Sequence, residues 1–119
     1  MLQVSLVVPT YREAENLEAL CDAIDVNLRK RKISYEIIIA DDHSPDNTIE
    51  VVESLSARYP VHLMQPANRQ RDLSLAVLDG IGEAKSECVV VMDADLSHPT
   101  EKIPELLSTL REGVFVLGS

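Results

Sequence analysis

The chain is poor in aromatic residues and in cations. Its 119 residues include no tryptophan, one phenylalanine and three tyrosines, and 11 lysines and arginines stand against 20 aspartates and glutamates, for a formal charge of −9. A field of that sign repels a phosphate backbone, which excludes nucleic acid as an expected partner. An anionic ligand then needs a local device, a helix N-terminus or a bound cation, to be held. Cysteine is as scarce: Cys21 and Cys88 each lie within an apolar segment and read as reduced, buried thiols. The histidines, His43, His62 and His98, show no zinc spacing, and neither a GxxxxGK[ST] phosphate loop nor a nucleophile-elbow serine occurs. No apolar run approaches the roughly 20 residues that span a bilayer. The opening "MLQVSLVVPT" lacks the basic leader and cleavage site of an export signal. A soluble chain in a reducing compartment, the cytoplasm, is the expectation.

What the sequence does contain is a regular alternation. Apolar, β-branched runs fall at 4–8, 35–40, 61–64 and 88–92, with a weaker one at 114–117. Their continuity is the mark of strands buried on both faces, as in a parallel sheet. Between them, helical spacing predicts helices over 13–31 (Leu17, Leu20, Ile24, Leu28), 46–58 (Ile49, Val52, Leu55), 73–85 (Leu75, Leu78, Ile81) and 100–112 (Ile103, Leu106, Leu107, Leu110). Gly80 and Gly82 weaken the third by roughly 1 kcal/mol each relative to alanine. The pattern predicts an α/β class fold, a three-layer α/β/α sandwich on a mostly parallel, Rossmann-like sheet with right-handed crossovers. The last strand run would leave an uncovered edge able to pair with another copy, and the chain reads as the N-terminal part of a longer protein.

In such a sheet, ligands bind beyond the carboxyl ends of the strands, and polar chemistry is concentrated there. "DADLSHP" follows the fourth strand, with Asp93 and Asp95 two apart, so both leave an extended backbone on one face. Hard oxygen donors at that spacing suit Mg²⁺ or Mn²⁺, which keep waters and take substrate phosphates as further ligands. The second strand ends in the pair Asp41 and Asp42, where Asp42 is placed to accept from a nucleobase N–H or a ribose hydroxyl. Asp46 or Ser44 is a candidate N-cap for the second helix, and Thr10 with Glu13 has capping-box spacing for the first. Tyr11 lies where a base can stack, and Arg69 and Arg71 can complement phosphate charge. Ser97 or His98 can add a metal ligand or cap the helix that Pro99 helps to start.

Taken together and in order, "VVPTYREAENL", "IIIADDHSPDNT" and "VVVMDADLSHP" resemble the N-terminal half of family 2 glycosyltransferases. The resemblance is greatest to the dolichyl-phosphate and polyprenyl-phosphate sugar transferases. It implies a GT-A fold and inverting transfer of a sugar from GDP or UDP to a lipid phosphate. On it, Pro9, Tyr11 and Glu13 line the nucleotide pocket, Asp42 contacts the base, and Asp93 and Asp95, flanking Ala94, carry the metal and the diphosphate. Residues 1–119 would then be the nucleotide-sugar-binding part of the domain, inactive alone, and the acceptor-binding part and any membrane contact would lie beyond it. Two positions depart from the family pattern: Ser97 stands where "DADLQHP" has glutamine, and Asp72 where "R-x-x-G-L" has glycine. A nucleotide-sugar-binding module without transfer is one alternative class. An acidic phospho-receiver domain is another, although receivers carry their acid pair after the first strand, and here the first strand ends "PTYRE".

Overall fold

The structure is a computed structural model that describes residues 2–65, 73–95, 100–109 and 112–117. Nine elements alternate in chain order: β1 (Val4–Thr10), α1 (Ala14–Arg29), β2 (Tyr35–Asp41), α2 (Thr48–Leu55), β3 (Val61–Met64), α3 (Leu73–Glu83), β4 (Cys88–Val91), α4 (Lys102–Thr109) and β5 (Gly113–Val116). The strands form a single all-parallel sheet in the order β3-β2-β1-β4-β5. The order turns at β1, which has β2 on one side and β4 on the other. A switch of this kind opens a crevice at the carboxyl edge, and both aspartate pairs predicted from the sequence lie along it.

Side-chain alternation divides the core in two. Leu6, Val8, Ile37, Ile39 and Val90 join Leu17, Leu20, Ile24 and Leu28 of α1, Val52 and Leu55 of α2, and Ile103 of α4. Val7, Ile38, Ala40, Val89 and Val91 point the other way and meet α3 through Ala76. The four α1 residues, spaced three or four apart, are all fully buried, and each such side chain contributes roughly 1.5–3 kcal/mol. Cys21 and Cys88 are both free and buried, and burial pushes the Cys21 thiol up to about 12.

The helices as described are shorter than their apolar periodicity predicts; α2 buries most of its predicted stripe, whereas α3 turns largely a different face inward. In α2 the buried residues are Thr48, Val52 and Leu55, while Ile49 is 42% exposed. Of the stripe predicted for α3, Leu75 is 37% and Leu78 63% exposed, and only Ile81 packs against the core. The inward face is made of small residues, Ala76 and Gly80, with Val77, Ile81 and Ala84 partly covered. Close approach explains the choice: a Cβ at Gly80 would stand 2.7 Å from Val7 Cγ1 and 3.3 Å from Ala40 Cβ. Here glycine lets the helix seat on β1 and β2. In α4, Ile103 is buried with Leu106 and Leu107 partly so, and Leu110 lies outside the described residues. Strand β5 forms the sheet edge, with Val114 and Val116 exposed.

Candidate nucleotide site

Three strand ends meet at the rim. Thr10 and Asp41 are the last register pair of β1 and β2, and the Asp42 N–H donates to the Thr10 carbonyl at 2.9 Å. On the other side of β1, Val91 pairs with Val7, and Asp93 follows two residues later. Neighbouring strands lie about 4.8 Å apart, so the ends carrying Asp42 and Asp93 are separated by roughly 10 Å, with β1 between them.

Asp41 is fully buried and receives four donors. Its Oδ1 accepts from the Thr10 hydroxyl at 2.7 Å and the Ser44 hydroxyl at 2.6 Å, and its Oδ2 from the Ser44 N–H at 2.8 Å and Gln65 Nε2 at 3.1 Å. The carboxylate therefore ties β1, β2, the end of β3 and the following loop together. Asp42, the next residue, differs. It is 2% exposed, and among the described residues its Oδ2 is the buried side-chain oxygen with no hydrogen-bond partner. Leaving such an acceptor unmet costs about 1–3 kcal/mol, so it calls for an explanation.

The sequence suggested a capping box for α1, but the helix begins differently. The Thr10 hydroxyl is given to Asp41, Glu13 occupies the N-cap without a side-chain cap bond, and Glu13 Oε2 accepts instead from Asn16 Nδ2 at 2.8 Å. The helix start is served from the neighbouring loop, where Asp46 Oδ2 accepts the Ala14 N–H at 3.3 Å. Asp46 also accepts from the Thr48 N–H at 3.2 Å and from the Thr48 hydroxyl, at the start of α2. One carboxylate thus meets otherwise unpaired N–H groups at two helix N-termini. Burial pushes the Asp46 carboxyl up, but the Thr48 hydroxyl and the Ala14 and Thr48 N–H groups outweigh it and leave it below its ordinary value. Between these contacts, the Arg12 N–H donates to Ser44 Oγ at 2.8 Å. Arg12 takes a left-handed conformation, φ 59°, and its guanidinium lies 5.3 Å from the Tyr11 ring centroid.

Pro9, Tyr11 and Glu13 are half-buried along this edge, while Asp93 and Asp95 are exposed and Ala94 between them is 1% exposed within the core. Strand β4 ends at Val91 and residues 94–95 form a turn, so the exposure of both carboxylates comes from this turn and not from the extended-backbone alternation expected from the sequence. Among the described residues no three of His, Cys, Asp and Glu form a metal-binding group. Two hard carboxylates fit a cation that fills its other positions with water and phosphate oxygens. Arg69, Arg71, Asp72, Ser97, His98 and Pro99 lie outside the described residues. Sequence reasoning missed Gln65, although it directly follows β3 on the same rim, and it took Ser44 only as a cap. The Asp-x-x-Ser spacing of Asp41 and Ser44 was the available signal, since a short polar side chain three residues on can return to the carboxylate.

A parallel sheet with a switch point, and carboxylates at the carboxyl ends of the strands flanking it, is the α/β arrangement in which ligands bind at that edge. The sequence pattern described as glycosyl transferase family 2 matches residues 5–119, and the chain belongs to that family. It is 45% identical over 112 residues to a dolichol-phosphate mannosyltransferase of Pyrococcus furiosus, a match that covers 94% of this chain and 31% of that protein. It is 37% identical to the dolichol-phosphate mannosyltransferase of Saccharomyces cerevisiae, covering 99% of this chain and 45% of the yeast protein. The chain thus spans less than half the length of either relative. A solved mannosyltransferase from Pyrobaculum calidifontis, in complex with GDP-Man and Mn²⁺, superposes with a TM-score of 0.66 at 28% identity, over 84% of this chain and 29% of that one. The fold is the GT-A arrangement expected from the resemblance, and family membership displaces the phospho-receiver alternative. Among the described residues no helix is long and apolar enough to cross a membrane.

Proposed function

We propose that the protein transfers a sugar, with inversion, from a GDP- or UDP-linked donor to a polyprenyl- or dolichyl-phosphate acceptor, and that residues 1–119 supply the donor-binding part. The observation that carries this reading is Asp42: a buried carboxylate oxygen at a strand end, with no partner among the described residues, is a ready acceptor for a base N–H or a ribose hydroxyl. Two further features support it. The roughly 10 Å between the strand ends of Asp42 and Asp93 suits a nucleoside at one side and its diphosphate at the other. The relatives are named for polyprenyl-phosphate sugar transfer, and the solved neighbour holds GDP-Man with Mn²⁺.

In this reading Tyr11 and Pro9 pack against the nucleoside, Glu13 belongs to the same pocket, Asp41 beneath it holds the strand ends in place, and Arg69 and Arg71 complement the phosphates. Asp93 and Asp95, beside Ala94, would hold Mg²⁺ or Mn²⁺, which when bound neutralises charge on the departing nucleoside diphosphate. The acceptor phosphate is already anionic, so its oxygen attacks the anomeric carbon without a strong protein base, and the bond to the nucleoside diphosphate breaks as the new one forms. The protein contributes positioning and electrostatic stabilisation. Calorimetry of GDP and UDP with the full chain tests the reading: Asp42→Ala should weaken the nucleotide that binds by roughly ten- to a hundredfold, the loss of about 1.4–2.8 kcal/mol. Unchanged affinity would refute it.

A further inference from the structure

The loops that follow β1 and β2 are joined by three hydrogen bonds in sequence: Thr10 to Asp41, Arg12 to Ser44 and Ala14 to Asp46. The outer two join the end of a strand and the start of a helix. The middle one acts on the turn that carries Tyr11 and Arg12. Arg12 has φ 59°, a region that residues with a Cβ visit rarely because the side chain crowds the backbone. A conformation of this kind persists only where the surroundings over-determine it.

The chemistry of Ser44 suits that task. A hydroxyl has one hydrogen and two lone pairs. The hydrogen goes to Asp41 Oδ1 at 2.6 Å, which leaves the oxygen to accept the Arg12 N–H at 2.8 Å. Asp41 is itself immobilised by Thr10, Gln65 and the Ser44 N–H, so the acceptor offered to Arg12 is anchored to three strand ends. The consequence is a fixed left-handed turn that sets Tyr11 on the rim with the Arg12 guanidinium over its ring. Asp42, directly after the anchor, is held in the same frame by its N–H on the Thr10 carbonyl.

We propose that Ser44 is a positioning residue of the nucleotide pocket, relaying the rigidity of buried Asp41 to the Tyr11–Arg12 turn so that the pocket is formed before the nucleotide arrives. The inference rests on the nucleotide-binding reading given above. It makes Ser44 act through its neighbours, without touching the ligand, and a preorganised pocket of this kind binds tightly because little remains to be ordered.

The test is calorimetry of GDP and UDP, in the presence of Mn²⁺, on the full chain and on Ser44→Ala, Ser44→Thr and Ser44→Val, with the thermal midpoint of each recorded. The expected result is a roughly tenfold weaker Kd for Ser44→Ala and for Ser44→Val, near-parental binding for Ser44→Thr, and no matching drop in midpoint. Threonine and valine have the same shape, so the contrast isolates the hydroxyl even if alanine loosens the loop. In an Arg12→Gly background, where the left-handed turn no longer crowds a side chain, Ser44→Ala should cost clearly less than tenfold. Equal binding by the threonine and valine variants, or a loss that simply tracks the thermal midpoint, overturns the assignment. If the parent binds neither nucleotide, the functional reading has failed and the assignment falls with it, an outcome distinct from a parent that binds and a Ser44→Ala variant that binds equally well.

Discussion

Thr10 and Asp41 face each other at the last register position of β1 and β2, and the threonine hydroxyl donates to Asp41 Oδ1 at 2.7 Å in a setting where both residues are buried. With the Ser44 and Gln65 donors added, this pair closes the carboxyl ends of three neighbouring strands. Among the described residues, the adjacent Asp42 has an oxygen without such a partner. Two consecutive carboxylates are therefore in opposite situations, one filled by the fold and one left for something else.

That contrast predicts unequal stability effects. Asp41→Ala strands the donors of Thr10, Ser44 and Gln65, and at about 1–3 kcal/mol for each buried group left unpaired, with some relaxation, it should lower the unfolding free energy by about 3 kcal/mol. Asp42→Ala, which removes a buried Oδ2 that has no partner among the described residues, should stay within about 1 kcal/mol of the parent. Urea unfolding of the two variants checks both. A smaller loss for Asp41→Ala than for Asp42→Ala would mean that the hydrogen-bonded cluster does not anchor the rim.

Gly80 and Gly82 separate helix propensity from packing. At Gly82 a Cβ would meet nothing within 4 Å, so Gly82→Ala should stabilise by about 0.5–1 kcal/mol through propensity alone. At Gly80 the same Cβ would sit 2.7 Å from Val7 Cγ1, so Gly80→Ala should destabilise by about 1–3 kcal/mol despite the propensity gain. Thermal unfolding distinguishes these outcomes by sign, and a stabilising Gly80→Ala would show that α3 does not approach β1 as closely as described.

A third buried carboxylate contributes to the response to acid. At the amino end of the sheet, Glu36 accepts from the Ser5 hydroxyl at 2.6 Å and the Lys85 N–H at 2.8 Å, with His62 Nε2 at 3.3 Å. Burial pushes the Glu36 carboxyl up, but the Ser5, Lys85 and His62 contacts outweigh it and hold it below its ordinary value of 4.5. A folded-state value below the unfolded one contributes stability that is present above the unfolded value and lost as pH falls through the folded one. The urea midpoint should therefore fall as pH drops below about 4.5, and Glu36→Gln should flatten that part of the profile. An unchanged acid slope in Glu36→Gln would assign the loss to other carboxylates.

The strands were legible in the sequence because a strand buried on both faces has to be apolar throughout. Ile37, Ile38 and Ile39, all fully buried, announce β2 without any knowledge of the neighbours. Helix faces were less so. Leucines at 75 and 78 outweigh Ala76 and Gly80 in any hydrophobic count, yet the sheet selected the small residues, because seating α3 on Val7 and Ala40 needs close approach more than apolar bulk. The rim shows the same division. Asp93, Asp95 and Asp42 stand out as carboxylates at strand ends, whereas the work of Ser44 and Gln65 appears only when three strands have been placed side by side. The acidic pairs were visible as chemistry, and the polar side chains that hold one of them became visible only as geometry.

The proposed function makes nucleotide binding depend on a divalent cation held by Asp93 and Asp95. Its most direct test is calorimetry of GDP and UDP with the full chain, with and without Mn²⁺, on the parent and on an Asp93→Ala, Asp95→Ala double variant. The account predicts that Mn²⁺ tightens nucleotide binding by at least roughly tenfold in the parent, about 1.4 kcal/mol, and has no effect in the double variant. Binding by the parent with equal affinity in the presence and absence of the cation would contradict it.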